Sequence, residues 1–174
     1  MICVIACTNR PNSNSLKISE YYIELLKKEG VACTLIDLNK LPESYLFSAL
    51  YENQGKDELF NNIKKPIADA EKFVFVVPEY NGSFPGVLKA FIDGLDYPVS
   101  FKNKKAALLG ISSGVMGGSL ALSHLTDILN YLGMHVLASK PRITRIEKTF
   151  VDGEINDAFV KELILTQVKD LLKF

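Results

Sequence analysis

Five times along this chain a short apolar run gives way to a longer stretch whose apolar residues recur at helical spacing. The runs are Met1–Cys7, Val31–Leu38, Phe73–Val77, Ala106–Ile111 and Met134–Ala138. Each is short and rich in β-branched or aromatic residues, the pattern of a strand buried on both faces. Leu16, Ile18, Tyr21, Tyr22, Leu25 and Leu26 predict a first helix that stops at Gly30. Further helices are expected at about 57–69, 85–95 and 119–132. A last one carries Phe159, Leu163, Ile164, Val168, Leu171 and Leu172. Such alternation predicts a doubly wound α/β fold with a mostly parallel sheet and helices on both faces.

With five strands the leading arrangement is the flavodoxin-like order 2-1-3-4-5. Ligands then bind outside the carboxyl ends of the strands, where the loops after strands 1 and 3 face each other. The 174 residues contain no internal repeat or linker and are expected to form one domain over 1–174. Twenty basic residues balance twenty acidic ones, which removes the electrostatic case for nucleic acid or an anionic membrane. The same balance weighs against a strongly acidic electron carrier. No apolar run approaches the roughly 18 residues of a membrane span. The first residues read as a strand and not a signal peptide, so a cytoplasmic protein is expected. Cys3, Cys7 and Cys33 are odd in number and fit no metal or redox spacing, so they are expected to be buried thiols.

The loops at the strand ends carry the chemistry. Thr8-Asn9-Arg10-Pro11-Asn12-Ser13-Asn14-Ser15 offers three hydroxyls, a guanidinium and the start of a helix. That combination holds phosphates; the plainer alternative is a solvated turn whose Ser or Asn merely caps the helix. Neither G-x-x-x-x-G-K-[ST] nor G-x-G-x-x-G occurs here, which excludes a P-loop nucleotide and a classical dinucleotide pyrophosphate. Pro78-Glu79-Tyr80-Asn81-Gly82-Ser83 has one carboxylate and no His or Cys, so triads and metal-assisted hydrolysis are disfavoured. Its exposed backbone, small Gly82 and Ser83 hydroxyl suit the polar edge of a planar heterocycle, or a simple strand-to-helix turn. Ser112-Ser113-Gly114-Val115-Met116-Gly117-Gly118 is glycine-rich enough for close backbone approach. Cys7-Thr8 replaces the acidic residues that a phospho-acceptor switch needs at the end of strand 1. His124 and His135 read as structural, and Tyr80 and Tyr97 as packing residues that could also stack on a ring. The long connection 39–56, with Tyr45, Phe47 and Tyr51, is of a length usually reserved for function or an interface.

At these residues the chain resembles the NAD(P)H-dependent FMN reductase family, which includes quinone- and azo-compound-reducing members. The family motif, approximately P-E-Y-N-G-S-x-P-G-x-L-K-N-x-I-D, stands here from Pro78 to Asp93 with Ala90 for the usual Asn. The family's phosphate loop, approximately G-S-x-R-x-x-S-x-N, is similar to Cys7–Ser15, where Arg10 and Ser13 match and Thr8 replaces Ser. Ser112, Ser113, Gly114, Gly117 and Gly118 resemble the third motif, and Thr126 stands where many members carry Arg. By that resemblance, the phosphate of FMN sits on Thr8, Arg10, Ser13, Asn14 and Ser15. The isoalloxazine lies from Pro78 along the backbone amides of Glu79, Tyr80, Asn81, Gly82 and Ser83, with Ser112–Gly118 at its far edge. The resemblance further implies hydride transfer from NAD(P)H to the flavin and on to a flavin, quinone or azo-type small-molecule acceptor, with no catalytic side chain of its own and no metal. It also implies a homodimer or homotetramer, with a role for the 39–56 loop at the interface. A flavodoxin-type electron carrier or a non-catalytic flavin-binding protein is the alternative.

Overall fold

The computed structural model describes residues 1–174. Strands β1 (Ile2–Ala6), β2 (Cys33–Asp37), β3 (Lys72–Pro78) and β4 (Lys105–Ile111) pair side by side in the order β2-β1-β3-β4, all parallel. Along β1 and β3 successive side chains enter opposite cores. Cys3, Ile5, Phe73, Phe75 and Val77 face one, and Ile2, Val4, Val74 and Val76 face the other. Burial on both faces is why these segments read as continuous apolar runs instead of alternating ones.

The register Ala6↔Val76 and Val76↔Leu109 brings the carboxyl ends of β1, β3 and β4 to one edge of the sheet. Helix α1 (Asn14–Lys28) starts at that edge, where the Ser13 hydroxyl accepts the Leu16 amide at 3.1 Å. After β2, residues 39–56 form short turns around α2 (Tyr45–Ser48), and α3 (Glu58–Asp69) follows. The connection buries Tyr45, Ala49 and Leu50 but leaves Phe47 and Tyr51 each 83% exposed. Helices α4 (Gly86–Asp93) and α5 (Ser119–Tyr131) pack with α3 on one face. The opposite face is covered by α1 and by the last helix described below.

The fifth strand is not continuous. The expected run Met134–Ala138 supplies only β5 (His135–Val136), paired with Lys105–Ala106. A second piece, β6 (Arg142–Ile143), pairs with Gly110–Ile111, so the 2-1-3-4-5 order holds with a divided edge strand. Six residues run from Val136 to Arg142 where β4 needs four from Ala106 to Gly110. Pro141 in this gap has no N–H to give a ladder, and prolines are confined to such edge interruptions. After β6 come α6 (Ile146–Thr149), a hairpin of β7 (Phe150–Val151) and β8 (Glu154–Ile155), and α7 (Ala158–Lys173). Gln167 of α7 closes the gap, donating to Leu108 O and Ser139 O at 2.9 Å each while its Oε1 accepts from the buried Tyr22 hydroxyl at 3.2 Å. No helix is long and apolar enough to cross a membrane.

Candidate functional site

The strand ends enclose a cleft of about 310 Å³. Thr8, Arg10, Ser13, Asn14 and Ser15 line it from the loop after β1, and Pro78, Glu79 and Tyr80 from the end of β3. Ser112 and Ser113 close it from the end of β4. The topology therefore brings ten of the residues singled out in the sequence into one space.

The first loop is built to present donors. Thr8, Ser13 and Ser15 are buried, while Arg10 is exposed and enters none of the ion pairs. The first two amides of α1, those of Asn14 and Ser15, precede any intrahelical acceptor and stay free to donate. Ser13 Oγ is occupied as acceptor of the Leu16 N–H but retains its own proton. Ser15 differs from its neighbours. The residue is 1% exposed and belongs to the cleft lining, and its buried hydroxyl has no hydrogen-bond partner in the protein. A buried hydroxyl without a partner costs about 1–3 kcal/mol, which a phosphate oxygen in the cleft would recover. The donor set and the orphaned hydroxyl fit the phosphate of FMN.

The second loop offers less backbone than the sequence implied. The Glu79 amide donates to Ile111 O at 3.1 Å, and Tyr80 and Ser83 exchange both their amide–carbonyl bonds at 2.7 and 3.1 Å. Asn81 and Gly82 between them have φ of 51° and 73°, a two-residue type I′ turn. Three of the five amides from Glu79 to Ser83 are thus used internally; those of Asn81 and Gly82 remain. This turn stands beyond the cleft lining. Ser83 Oγ lies 2.9 Å from His124 Nδ1 on α5.

The third loop is tied to β6 and α6. Ser112 N donates to Ile143 O, Arg145 N to Gly114 O, and Ile146 N to Ser112 O. Ser112 Oγ accepts the Gly117 N–H at 2.9 Å and donates to Gly114 O at 3.1 Å. Gly117 and Gly118 are buried with φ of 58° and 77°, and a Cβ on Gly117 would come within 2.7 Å of Arg142 Cβ. Their smallness serves this internal packing. Gly114, Gly117 and Gly118 do not reach the cleft lining. Its remaining wall includes Ile146 and Glu147, which the sequence reading missed because only the division of the edge strand brings α6 there. The Ser113 hydroxyl donates to Glu147 Oε1 at 2.7 Å and holds that carboxyl below its usual value, with a smaller contribution from Arg10.

Comparison with known proteins agrees with this architecture. The profile of the NADPH-dependent FMN reductase family matches residues 1–144. An NAD(P)H-dependent FMN reductase of Pseudomonas aeruginosa is 31% identical over 170 residues, spanning 91% of this chain and 90% of the relative. A 2-hydroxy-1,4-benzoquinone reductase of a Burkholderia species is 36% identical over 111 residues, 62% of this chain and 58% of its own. Among solved structures, the flavoenzyme NAD(P)H:(acceptor) oxidoreductase of Paracoccus denitrificans superposes with a TM-score of 0.80 at 23% identity, covering 99% of this chain and 94% of that one.

Proposed function

The chain belongs to the NADPH-dependent FMN reductase family, and we propose that the cleft after β1 takes the phosphate of FMN in an NAD(P)H-dependent oxidoreductase. The observation that carries this reading is Ser15, a buried residue of the cleft lining whose hydroxyl has no partner in the protein. The chemistry supplied by bound FMN is two-electron transfer from NAD(P)H to an oxidised acceptor. Thr8, Ser13 and Ser15 bind the phosphate by their hydroxyls, Asn14 and Ser15 by their amides, and Arg10 by charge.

Asn81 and Gly82 offer their amides to the polar edge of the ring, a donor pair fixed in place by the Tyr80–Ser83 bonds. Pro78, Glu79 and Tyr80 connect the two subsites, and Ser112 and Ser113 form the wall contributed by the third loop. Val115, Met116 and Leu120, each more than half exposed, supply apolar surface beside this turn for a planar acceptor. The acceptor is a small molecule, of the flavin or quinone class as the names of the relatives suggest, or of the azo class that the motif resemblance implies.

The active form is a homo-oligomer. Exposed Phe47, Tyr51, Tyr97 and Val99 support this, on segments joined where Gln54 Nε2 donates to Leu95 O at 3.0 Å. Three unpaired cysteines and a nicotinamide co-substrate favour the cytoplasm. Anaerobic rapid mixing of FMN-loaded protein with NADH or NADPH tests the reading. Direct bleaching of the flavin, with multiple turnovers once a quinone is added, is expected. Protein that binds no FMN, or binds it but is reduced only by a protein partner, contradicts it.

A further inference from the structure

Glu147 is a carboxylate in the wall of a cleft otherwise suited to an anion. It is held there by several bonds at once. Arg145 N and Ile146 N donate to the loop after β4 at 2.9 and 3.1 Å, Thr149 Oγ1 donates to Thr144 O at 2.7 Å, and Ser113 fixes the carboxylate itself. Glu79 is a second acid of the lining, whereas Arg10 is its one basic residue. Fixed side-chain charge in the cleft is therefore net negative, and a phosphate dianion entering it relies on neutral hydroxyl and amide donors.

Resting on the FMN reading above, we propose that Glu147 is a specificity-determining residue that weakens retention of the flavin phosphate, so that FMN exchanges between turnovers instead of staying as a tightly held group. Like charges sharing a partly exposed cleft repel through high dielectric, so the effect is moderate and depends on ionic strength. Ser113 sets how strongly it acts, because its hydroxyl stabilises the ionised carboxylate facing Arg10 and the phosphate. Without the phosphate a flavin has no charge for Glu147 to oppose.

Fluorescence titration of FMN and of riboflavin into wild type and Glu147→Gln, at low ionic strength, tests this. The substitution should tighten FMN by roughly threefold to tenfold and leave riboflavin unchanged. Added salt should narrow the difference between the two proteins. Equal changes for both flavins, no change for either, or weaker FMN binding by the variant would overturn the assignment. Wild type that takes up neither flavin would instead overturn the FMN reading, and this inference with it.

Discussion

The hydroxyls of Thr8 and Tyr80, 72 positions apart in the chain, lie 2.8 Å from each other and bridge the loop after β1 to the loop after β3. Thr8 Oγ1 also accepts the Arg10 amide at 3.3 Å, so this one oxygen orders the start of the phosphate loop and joins it to the turn that faces the ring. The two halves of the proposed site are thereby set at a fixed separation.

Tyr80→Phe removes the bridge while keeping the ring. Loss of one net hydrogen bond of the free protein, about 1 kcal/mol, should lower the melting temperature by about 2–4 °C, and FMN should bind more weakly as the two loops lose their fixed separation. Fluorescence titration and thermal melts on the same preparation measure both quantities.

Gly82 and Gly86 should respond in opposite senses. A Cβ on Gly82 meets only Leu120 Cδ1 at 3.9 Å, so space is available, but φ is +73°. Gly82→Val should cost about 1–2 kcal/mol in stability from backbone strain and should lower FMN affinity as the turn shifts. Gly86 opens α4, and a Cβ there meets nothing within 4 Å. Gly86→Ala should be neutral or about 0.5 kcal/mol stabilising. Urea unfolding of both variants, with FMN titration of the first, checks the contrast.

Gln167 is fully buried and bonds three groups at once. Gln167→Leu should destabilise by about 3 kcal/mol, because the Tyr22 hydroxyl and the two carbonyls of the divided edge lose their partner together. Chemical denaturation measures it. The same variant should also disturb α6, which hangs on the second half of that edge.

Alkaline pH should weaken the fold through its thiols. Burial pushes the Cys3 thiol up to about 12 from the ordinary 9.0, and raises the wholly buried Cys7 as well. Above about pH 9 the unfolded chain releases these protons while the folded one keeps them, so stability falls as pH rises through that window. About 2 kcal/mol should be lost through Cys3 by about pH 10.5, with a loss of the same sign through Cys7. Urea midpoints of wild type and a Cys3→Ala, Cys7→Ala double variant at about pH 8 and about pH 10.5 test this, with a shallower pH slope expected for the variant.

Strand order was legible because β1, β3 and β4 are buried on both faces, and their apolar runs state this without ambiguity. The divided edge was not, because β6 is two residues long and Arg142 is exposed. Glu147 was hidden for the same reason: nothing near it in sequence connects it to Ser113, and only the pairing of Arg142–Ile143 with β4 puts α6 over the cleft. The Asn81-Gly82 pair did carry a readable signal, since Asn-Gly is the commonest choice for a type I′ turn. Reading it that way would have shown that Tyr80 and Ser83 use their own amides.

Ser15 gives the most direct test that the phosphate of FMN sits in the first loop. In the ligand-free protein Ser15→Ala removes a buried hydroxyl that has no partner, so its melting temperature should stay the same or rise. FMN affinity should fall by about tenfold, and riboflavin affinity should not change. Loss of binding without loss of stability is the predicted result. A Ser15→Ala protein that melts as expected but binds FMN as tightly as wild type would contradict the account.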